Sequence, residues 1–378
     1  MQTLWINAED ALLLLGTKPQ TLYANVSRGR IRAKPDPADS RRSLYQVDDV
    51  KRLAKRHAGR RQAAAVAADA VRWGDPVMPT AISAITGQRL FYRGRDAVEL
   101  ARELALEDVA AILWNGPPNG ISIPAGGVDS GSRMSAAFAA LAARVMSDLP
   151  ALGRNPAVLQ TEAADVLATV ASALAPSAEA LPLHERLARG WQRPEAAEPT
   201  RTALVLAAEH ELNVSTFGAR VTASSGAALS AAVLSGLAAL TGPRHGCAWM
   251  SVITLKTVAG TIGAREAIRG ILSSDGVVRA FGHRLYPDGD PRAKALMASF
   301  EAPPIYRELA AAGEELLGEP LNIDFALAAL ADSFRLPEDS PLVIFALART
   351  VGWLAHAMEQ VESGELIRPR AHYAGPAG

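Results

Sequence analysis

From Arg72 onward the apolar residues recur at the three-to-four-residue spacing of helices. Apart from short extended pieces such as Arg89 to Arg93, no alternating β pattern breaks that rhythm. The body of the chain is therefore expected to be all-α. Asp96 to Leu113 and Met134 to Met146 read as helices, separated by Gly- and Pro-rich loops at Gly116 to Gly131 and Pro176 to Leu183. The stretch nearest to a membrane span, Ser224 to Leu240, is dominated by Ala, Ser and Gly. It falls short of the roughly 20 strongly apolar residues a span requires and reads as an interior helix. At 378 residues two or three compact units are expected. With Glu9 and Asp10 near the start, no signal segment is visible, and the single cysteine, Cys247, excludes an intrachain disulfide framework. A reducing, cytoplasmic location and no membrane partner are the expectation.

The net charge of zero hides an asymmetry. Residues 1 to 61 hold 13 Lys and Arg against 6 Asp and Glu, while the remainder holds 26 against 33. Within that basic end, a helix near Ala8 to Leu15, a turn at Gly16 and a second helix from Pro19 to about Arg28 precede a loop at Lys34 to Ser40. A strand at Ser43 to Val47 and a third helix from Asp48 follow. Thr17 is a candidate N-cap for the second helix. Two helices across a tight turn with a basic wing is helix-turn-helix grammar, and the segment resembles excisionase and MerR-type modules. That resemblance implies a small winged helix-turn-helix domain presenting Lys18, Gln20, Thr21 and Arg28 to a groove, with Arg30, Arg32, Arg41 and Arg42 meeting phosphates of DNA. The Ala-rich stretch from Ala63 to Ala70 places a linker at residues 62 to 74.

Four polar clusters interrupt the helical background. They are Glu209 to Asn213, Gly242 to Gly246, Phe281 to Arg284 and Asn322 to Phe325, each setting a titratable group beside glycine or a broken apolar run. Arginines at 292, 349, 368 and 370 suit a small polyanionic carboxylate, which a guanidinium grips bidentately. His245, expected near a helix N-terminus, would be kept neutral and able to donate a hydrogen bond to a developing enolate. Asp324, between Ile323 and Phe325, would be partly desolvated and thereby more basic. His283, in a glycine-bounded turn, could protonate a second carbonyl. One acid, one base and one oxyanion donor suit a carbon–carbon condensation without a metal.

Six strings carry a resemblance. Tyr92-Arg93-Gly94, His210 to Phe217, Gly242 to Gly246, Phe281 to Tyr286 with Asp290 to Ala293, Asn322 to Phe325 and Leu366 to Arg370 are similar, in order, to the citrate synthase family. The similarity spans about residues 75 to 375. It implies the citrate synthase fold, with a large helical domain at residues 75 to 245 and 336 to 378 and a small closing domain at 246 to 335. It also implies condensation of an acyl-CoA co-substrate with oxaloacetate, followed by thioester hydrolysis to citrate or 2-methylcitrate, with no permanently bound cofactor. On the resemblance, Asp324 is the base, His245 stabilises the enol and His283 protonates the oxaloacetate carbonyl. His210, Arg292 and Arg349 bind oxaloacetate, Arg368 reaches into the neighbouring site of a homodimer, and Arg279, Arg284 and Lys294 are candidates for CoA contacts.

The family string after His-Gly is Gly-Ala-Asn, whereas this chain has Cys247-Ala248-Trp249, so the acyl pocket is expected to differ. Ala280 and Pro287 depart from the family in the loop that would meet CoA. His57, His184, His356 and His372 are expected to be structural, and Cys247 is expected to be a small packing residue rather than a thiolate partner of His245. Asp324 has one bland alternative, a helix cap, and Arg349 and Arg368 another, salt bridges. For function the alternative is a metabolite-sensing DNA-binding regulator whose synthase-like body serves as a ligand receptor.

Overall fold

The computed structural model describes residues 5–15, 19–27, 30–36, 39, 42–51, 78–117, 120–127, 131–371 and 375. The chain divides into two units, residues 1–79 with 370–378, and residues 80–369. In the first unit the order is β1 (Trp5–Ile6), α1 (Ala8–Leu15), α2 (Pro19–Ser27), β2 (Ala33–Pro35) and β3 (Ser43–Gln46). Asn7 starts α1 by accepting the Asp10 amide on Oδ1 at 2.9 Å, with Glu9 and Asp10 favourably placed in the first turn. The strands form an antiparallel sheet in the order β1-β3-β2, and Ala11, Leu15, Leu22, Ile31, Tyr45 and Val50 make the core. Two expectations shift here. Lys34 and Pro35 belong to a strand paired with Leu44 and Ser43 rather than to a loop, and helical residues begin at 47 rather than 48. Gly16, Thr17, Lys18, Arg28, Arg41 and His57 lie outside the described residues, as does His372.

The second unit opens with a three-stranded antiparallel sheet, β4 (Ser83–Thr86), β5 (Arg89–Tyr92) and β6 (Arg95–Asp96). Gly87 and Gln88, at φ 56° and 59°, form the two-residue turn between β4 and β5, a conformation that matches strand twist and favours glycine. Helices follow: α3 (Ala97–Glu103), α4 (Leu106–Trp114), α5 (Arg133–Ser147), α6 (Pro156–Leu174), α7 (Leu183–Gly190), α8 (Ala197–Ala207), α9 (Val214–Ser224), α10 (Leu229–Leu240), α11 (Trp249–Ile262), α12 (Ala264–Asp275), α13 (Pro291–Met297), α14 (Pro304–Leu317), α15 (Ile323–Ser333) and α16 (Ser340–Ser363).

Apolar periodicity conceals two breaks in this series. The single helix expected over Asp96 to Leu113 is α3 and α4, because the Asp108 carboxylate accepts the Ala105 amide at 2.9 Å and begins a second helix there. Ser224 to Leu240 is likewise not one helix. Ser224 ends α9, Gly226 turns the chain at φ 83°, and α10 starts at Leu229.

Nor is that stretch the nearest to a membrane span. By length and composition α6 and α16 could each cross a bilayer, but the apolar window of α16 is 89% buried within the protein. α16 is the axis of the main core, and Gly236 of α10 admits it. A Cβ at that glycine would lie 2.7 Å from the Trp353 ring. A second core gathers Val252, Leu255, Ile268, Phe281, Tyr306 and Phe325. α15 serves both cores, turning Ala326, Leu327 and Leu330 to the main one and Phe325, Ala328 and Ala329 to the second. Asp324 is carried on that shared helix.

Candidate active site

Three histidines, two arginines and one aspartate meet in the second unit. His210 is buried in a turn before α9, and its Nε2 lies 2.9 Å from the Tyr286 hydroxyl. Its ring stands 5.1 Å from that of His283 and edge-on to it, and His283 is 4.9 Å from the Tyr286 ring. His283 follows Gly282, whose φ of 72° makes the turn. On the other side, His245 Nε2 is 2.8 Å from Ser215 Oγ, which also receives the Trp353 indole N–H at 3.1 Å. The side chain of Phe345 packs edge-on to His245 at 5.7 Å and under the Arg349 guanidinium at 4.8 Å.

All three imidazoles are held neutral. Burial, reinforced by Arg349, lowers His245 to about 4. Burial with Arg292 beside it lowers His283 to about 4. Burial and then Arg292 push His210 well below the usual histidine range. For His245 the sequence suggested a helix dipole, yet the residue sits in the 242–248 turn, four residues before α11, and burial is the leading cause. Asp324 moves the other way. Burial raises its carboxyl to about 7 against the opposing pull of Arg292. Its Oδ1 is buried and accepts no hydrogen bond among the described residues. The cap of α15 is Asn322, whose Oδ1 accepts the Phe325 amide at 3.3 Å, so Asp324 is not spent on capping.

The arginines differ in how far they are committed. Arg292 is buried and gives Nε and Nη2 to Asp290 at 3.0 and 2.7 Å, which leaves Nη1 for a ligand. Arg349 is also buried. Its Nε donates to the Ala207 carbonyl at 2.9 Å, and its Nη2 is buried without a partner among the described residues. Burial lowers it to about 10, so it remains a cation at neutral pH. It is neither a surface residue nor, among the described residues, a member of an ion pair; it is a buried cation with donor capacity to spare, as an anion site requires. Arg368 lies exposed after α16 and makes no hydrogen bond or ion pair with the cluster among the described residues. Arg279, Arg284 and Lys294 are exposed as well.

Tyr92 and Glu209 stood in strings that the sequence singled out, but their supporting roles were not read from it. Tyr92 Oη donates within a nest of the Val205, Leu206 and Glu209 carbonyls, fixing the approach to His210. Glu209 is fully buried and accepts from Ser83 and from His356 Nε2, both at 3.0 Å. Because the Arg220 guanidinium can only donate, its 3.1 Å contact fixes His356 Nδ1 as acceptor and Nε2 as the protonated nitrogen. His356 is thus structural, as expected, but it braces the residue next to His210. Its position seven residues after Arg349, two turns along the same helix face, was the available signal. Burial raises the Cys247 thiol, in keeping with a packing role. Among the described residues no group of three or more His, Cys, Asp or Glu side chains is placed to hold a metal ion. A groove of about 450 Å³ lies on the β4–β5 hairpin, lined by Thr80, Phe91 and Arg93 among others, and includes none of the titratable cluster. Chemistry rather than cavity size marks the site.

The family model for the citrate synthase C-terminal domain matches residues 132–370. The chain belongs to the citrate synthase family. A provisionally named citrate synthase 2 of Mycobacterium tuberculosis is 32% identical over 328 residues, which covers 77% of this chain and 88% of that protein. A 2-methylcitrate synthase 2 of Corynebacterium glutamicum is 34% identical over 183 residues, 46% of this chain and 48% of its own. The crystal structure of citrate synthase from Pyrobaculum aerophilum has the same fold, with a TM-score of 0.67 at 26% identity over 80% of this chain and 91% of that one. The family match begins at residue 132 and does not reach the basic N-terminal stretch.

Proposed function

We propose that this citrate synthase family member condenses an acyl-CoA with oxaloacetate and hydrolyses the resulting thioester, with Asp324, His245 and His283 as its catalytic residues. The observation that carries the reading is the pairing of a raised, unpartnered carboxylate at Asp324 with three neutral imidazoles beside two buried arginines. Asp324 takes a proton from the carbon next to the thioester carbonyl. Asn213 Oδ1 and His245 Nε2, each 2.8 Å from Ser215 Oγ, compete for its one proton; in the state where His245 accepts it, the proton of that neutral ring sits on Nδ1, from which it is donated to the developing enolate oxygen. The enolate carbon attacks the keto carbon of oxaloacetate, and His283 passes its proton to the new alkoxide. His210, Arg292 and Arg349 hold the dicarboxylate. Water then cleaves the thioester, releasing CoA thiol and citrate or, from propionyl-CoA, 2-methylcitrate.

Further parts of the reading rest on the same family. The second hydrophobic core, across residues 252 to 329, suits a small domain closing on the main one, with α15 as the shared element. Arg279, Arg284 and Lys294 are exposed, as contacts to CoA phosphates would be, and Arg368 is exposed, as a contact to a second subunit of a homodimer would be in the single chain. Release of thiol from acetyl-CoA or propionyl-CoA, dependent on oxaloacetate, tests the activity. A folded protein that releases none with either acyl-CoA contradicts it.

The excess of basic residues within 1 to 61 and their separate unit favour a second role, DNA binding regulated by the synthase body. Gln20, Thr21 and Arg30 are the candidates left open for it. Arg32 is bound at both ends of its fork by Asp49, at 2.8 and 3.1 Å, and Arg42 is paired with Asp39 at 3.4 Å, so neither is the uncommitted phosphate contact the sequence suggested. Salt-dependent DNA binding that changes with oxaloacetate or acyl-CoA supports this role. Binding indifferent to both ligands, or no binding, removes it.

A further inference from the structure

The two histidines that would flank oxaloacetate are far apart in sequence, and one small sheet touches the segments carrying both. At its base the sheet grips the 209–211 turn. Ser83 Oγ donates to Glu209 at 3.0 Å and accepts the Glu211 amide at 3.3 Å, and the Ile85 amide donates to the Glu211 carboxylate at 2.9 Å. Glu211 itself is held at φ 50°, a left-handed conformation that a non-glycine residue keeps only when its surroundings enforce it. At its tip the same sheet reaches the segment that runs from His283 to Arg292. The Gln88 Nε2 donates to the Asp288 carboxylate, and the Asp288 amide donates to Gln88 Oε1 at 2.7 Å.

We propose that Gln88 is a positioning residue for the condensation, latching the His283-bearing loop to the hairpin that holds His210 and so setting the gap into which the oxaloacetate carbonyl fits. Two features set the contact apart from an incidental surface hydrogen bond. It is a two-point contact, reading both the side chain and the backbone of Asp288, which fixes direction as well as distance. It is also made from a turn position at φ 59°, where glycine would be less strained, so the side chain is retained at a conformational cost. A shift of the latch displaces the His283 ring, which lies three residues before Tyr286 and 5.1 Å from His210. Gln88 touches no substrate; it acts through the loop.

This inference rests on the condensing reading of the site, and the wild-type measurement separates the two: wild-type protein with no thiol release fails that reading before any variant is compared. The test uses the full chain with Gln88→Glu, Gln88→Gly, and Gln88→Glu combined with Asp288→Asn, measuring oxaloacetate KM by thiol release, oxaloacetate affinity by calorimetry and the melting temperature. Gln88→Glu sets two carboxylates against each other and is expected to raise the oxaloacetate KM and Kd at least fivefold, with the acyl-CoA KM changed less than twofold. Adding Asp288→Asn exchanges donor and acceptor in the side-chain pair while the backbone amide of residue 288 still donates to residue 88, so both hydrogen bonds re-form and the values return to within twofold of wild type. Gln88→Gly removes the latch while relieving the backbone, so it is expected to raise the oxaloacetate KM with the melting temperature unchanged or higher. Gln88→Glu within twofold of wild type, or a double variant that recovers less than half of the loss on a logarithmic scale, overturns the proposal.

Discussion

Asp324 owes its basicity to burial: Oδ1 is buried and unpartnered among the described residues, and burial lifts the carboxyl to about 7. On the proposed mechanism the ionised form is the base, so turnover is expected to rise with pH through about 7 and level off above it, read from a kcat/KM profile for acyl-CoA. Arg349 is a buried cation with a donor unused among the described residues. Arg349→Lys removes the planar fork and the bond to the Ala207 carbonyl. It is expected to raise the oxaloacetate KM about tenfold or more, on the order of the 1.5–3 kcal/mol of a charged hydrogen bond. The sequence singled these residues out as charged side chains set among apolar ones. Their commitments were not legible there. That Asp290, two residues away, holds two of the Arg292 nitrogens is not announced by its nearness in sequence, and Arg32 and Asp49, 17 residues apart, are brought together only by the fold of the first unit.

At the level of elements, the chemistry depends on helix ends and close crossings. Asn322 caps α15 and also donates through Nδ2 to the carbonyls of Arg279 and Gly282, at 2.8 and 3.3 Å, tying the Asp324 helix to the turn before His283. Asn322→Asp keeps the cap but sets a carboxylate against two carbonyls, so kcat is expected to fall several-fold while acyl-CoA binding is retained. Asn322→Ala also loses the cap, for an additional cost of about 1 kcal/mol in chemical denaturation. At Gly352, α16 passes so close to the His210 turn that a Cβ would lie 2.4 Å from the Glu209 carboxylate and 2.5 Å from the Ala208 carbonyl. Gly352→Ala is expected to lower stability by about 1–3 kcal/mol and raise the oxaloacetate KM. Helices were readable from apolar spacing, but their breaks at Leu104 and Gly226 were not, since the apolar residues keep their spacing across both.

Across the whole molecule, burying neutral histidines links stability to pH. His210, His245 and His283 are all lowered below the ordinary value of 6.5, so the unfolded chain binds more protons as pH falls, and stability drops between about pH 6.5 and 4. Asp324, raised above its ordinary value, works in the opposite sense over the same range, but three groups oppose one. Denaturation midpoints across that window are expected to fall with acid. The all-α body was legible because its helical spacing continues for some 300 residues. The second core and the sharing of α15 between cores were not, since which face of a helix meets which neighbour is decided by the fold. The central claim, that this body condenses acyl-CoA with oxaloacetate through Asp324, is tested most directly by measuring turnover and oxaloacetate binding on one preparation of Asp324→Ala. Thiol release should vanish while oxaloacetate affinity stays within a few-fold of wild type, because the base acts on the other substrate. Turnover that survives the substitution, or affinity lost in step with turnover, would contradict it.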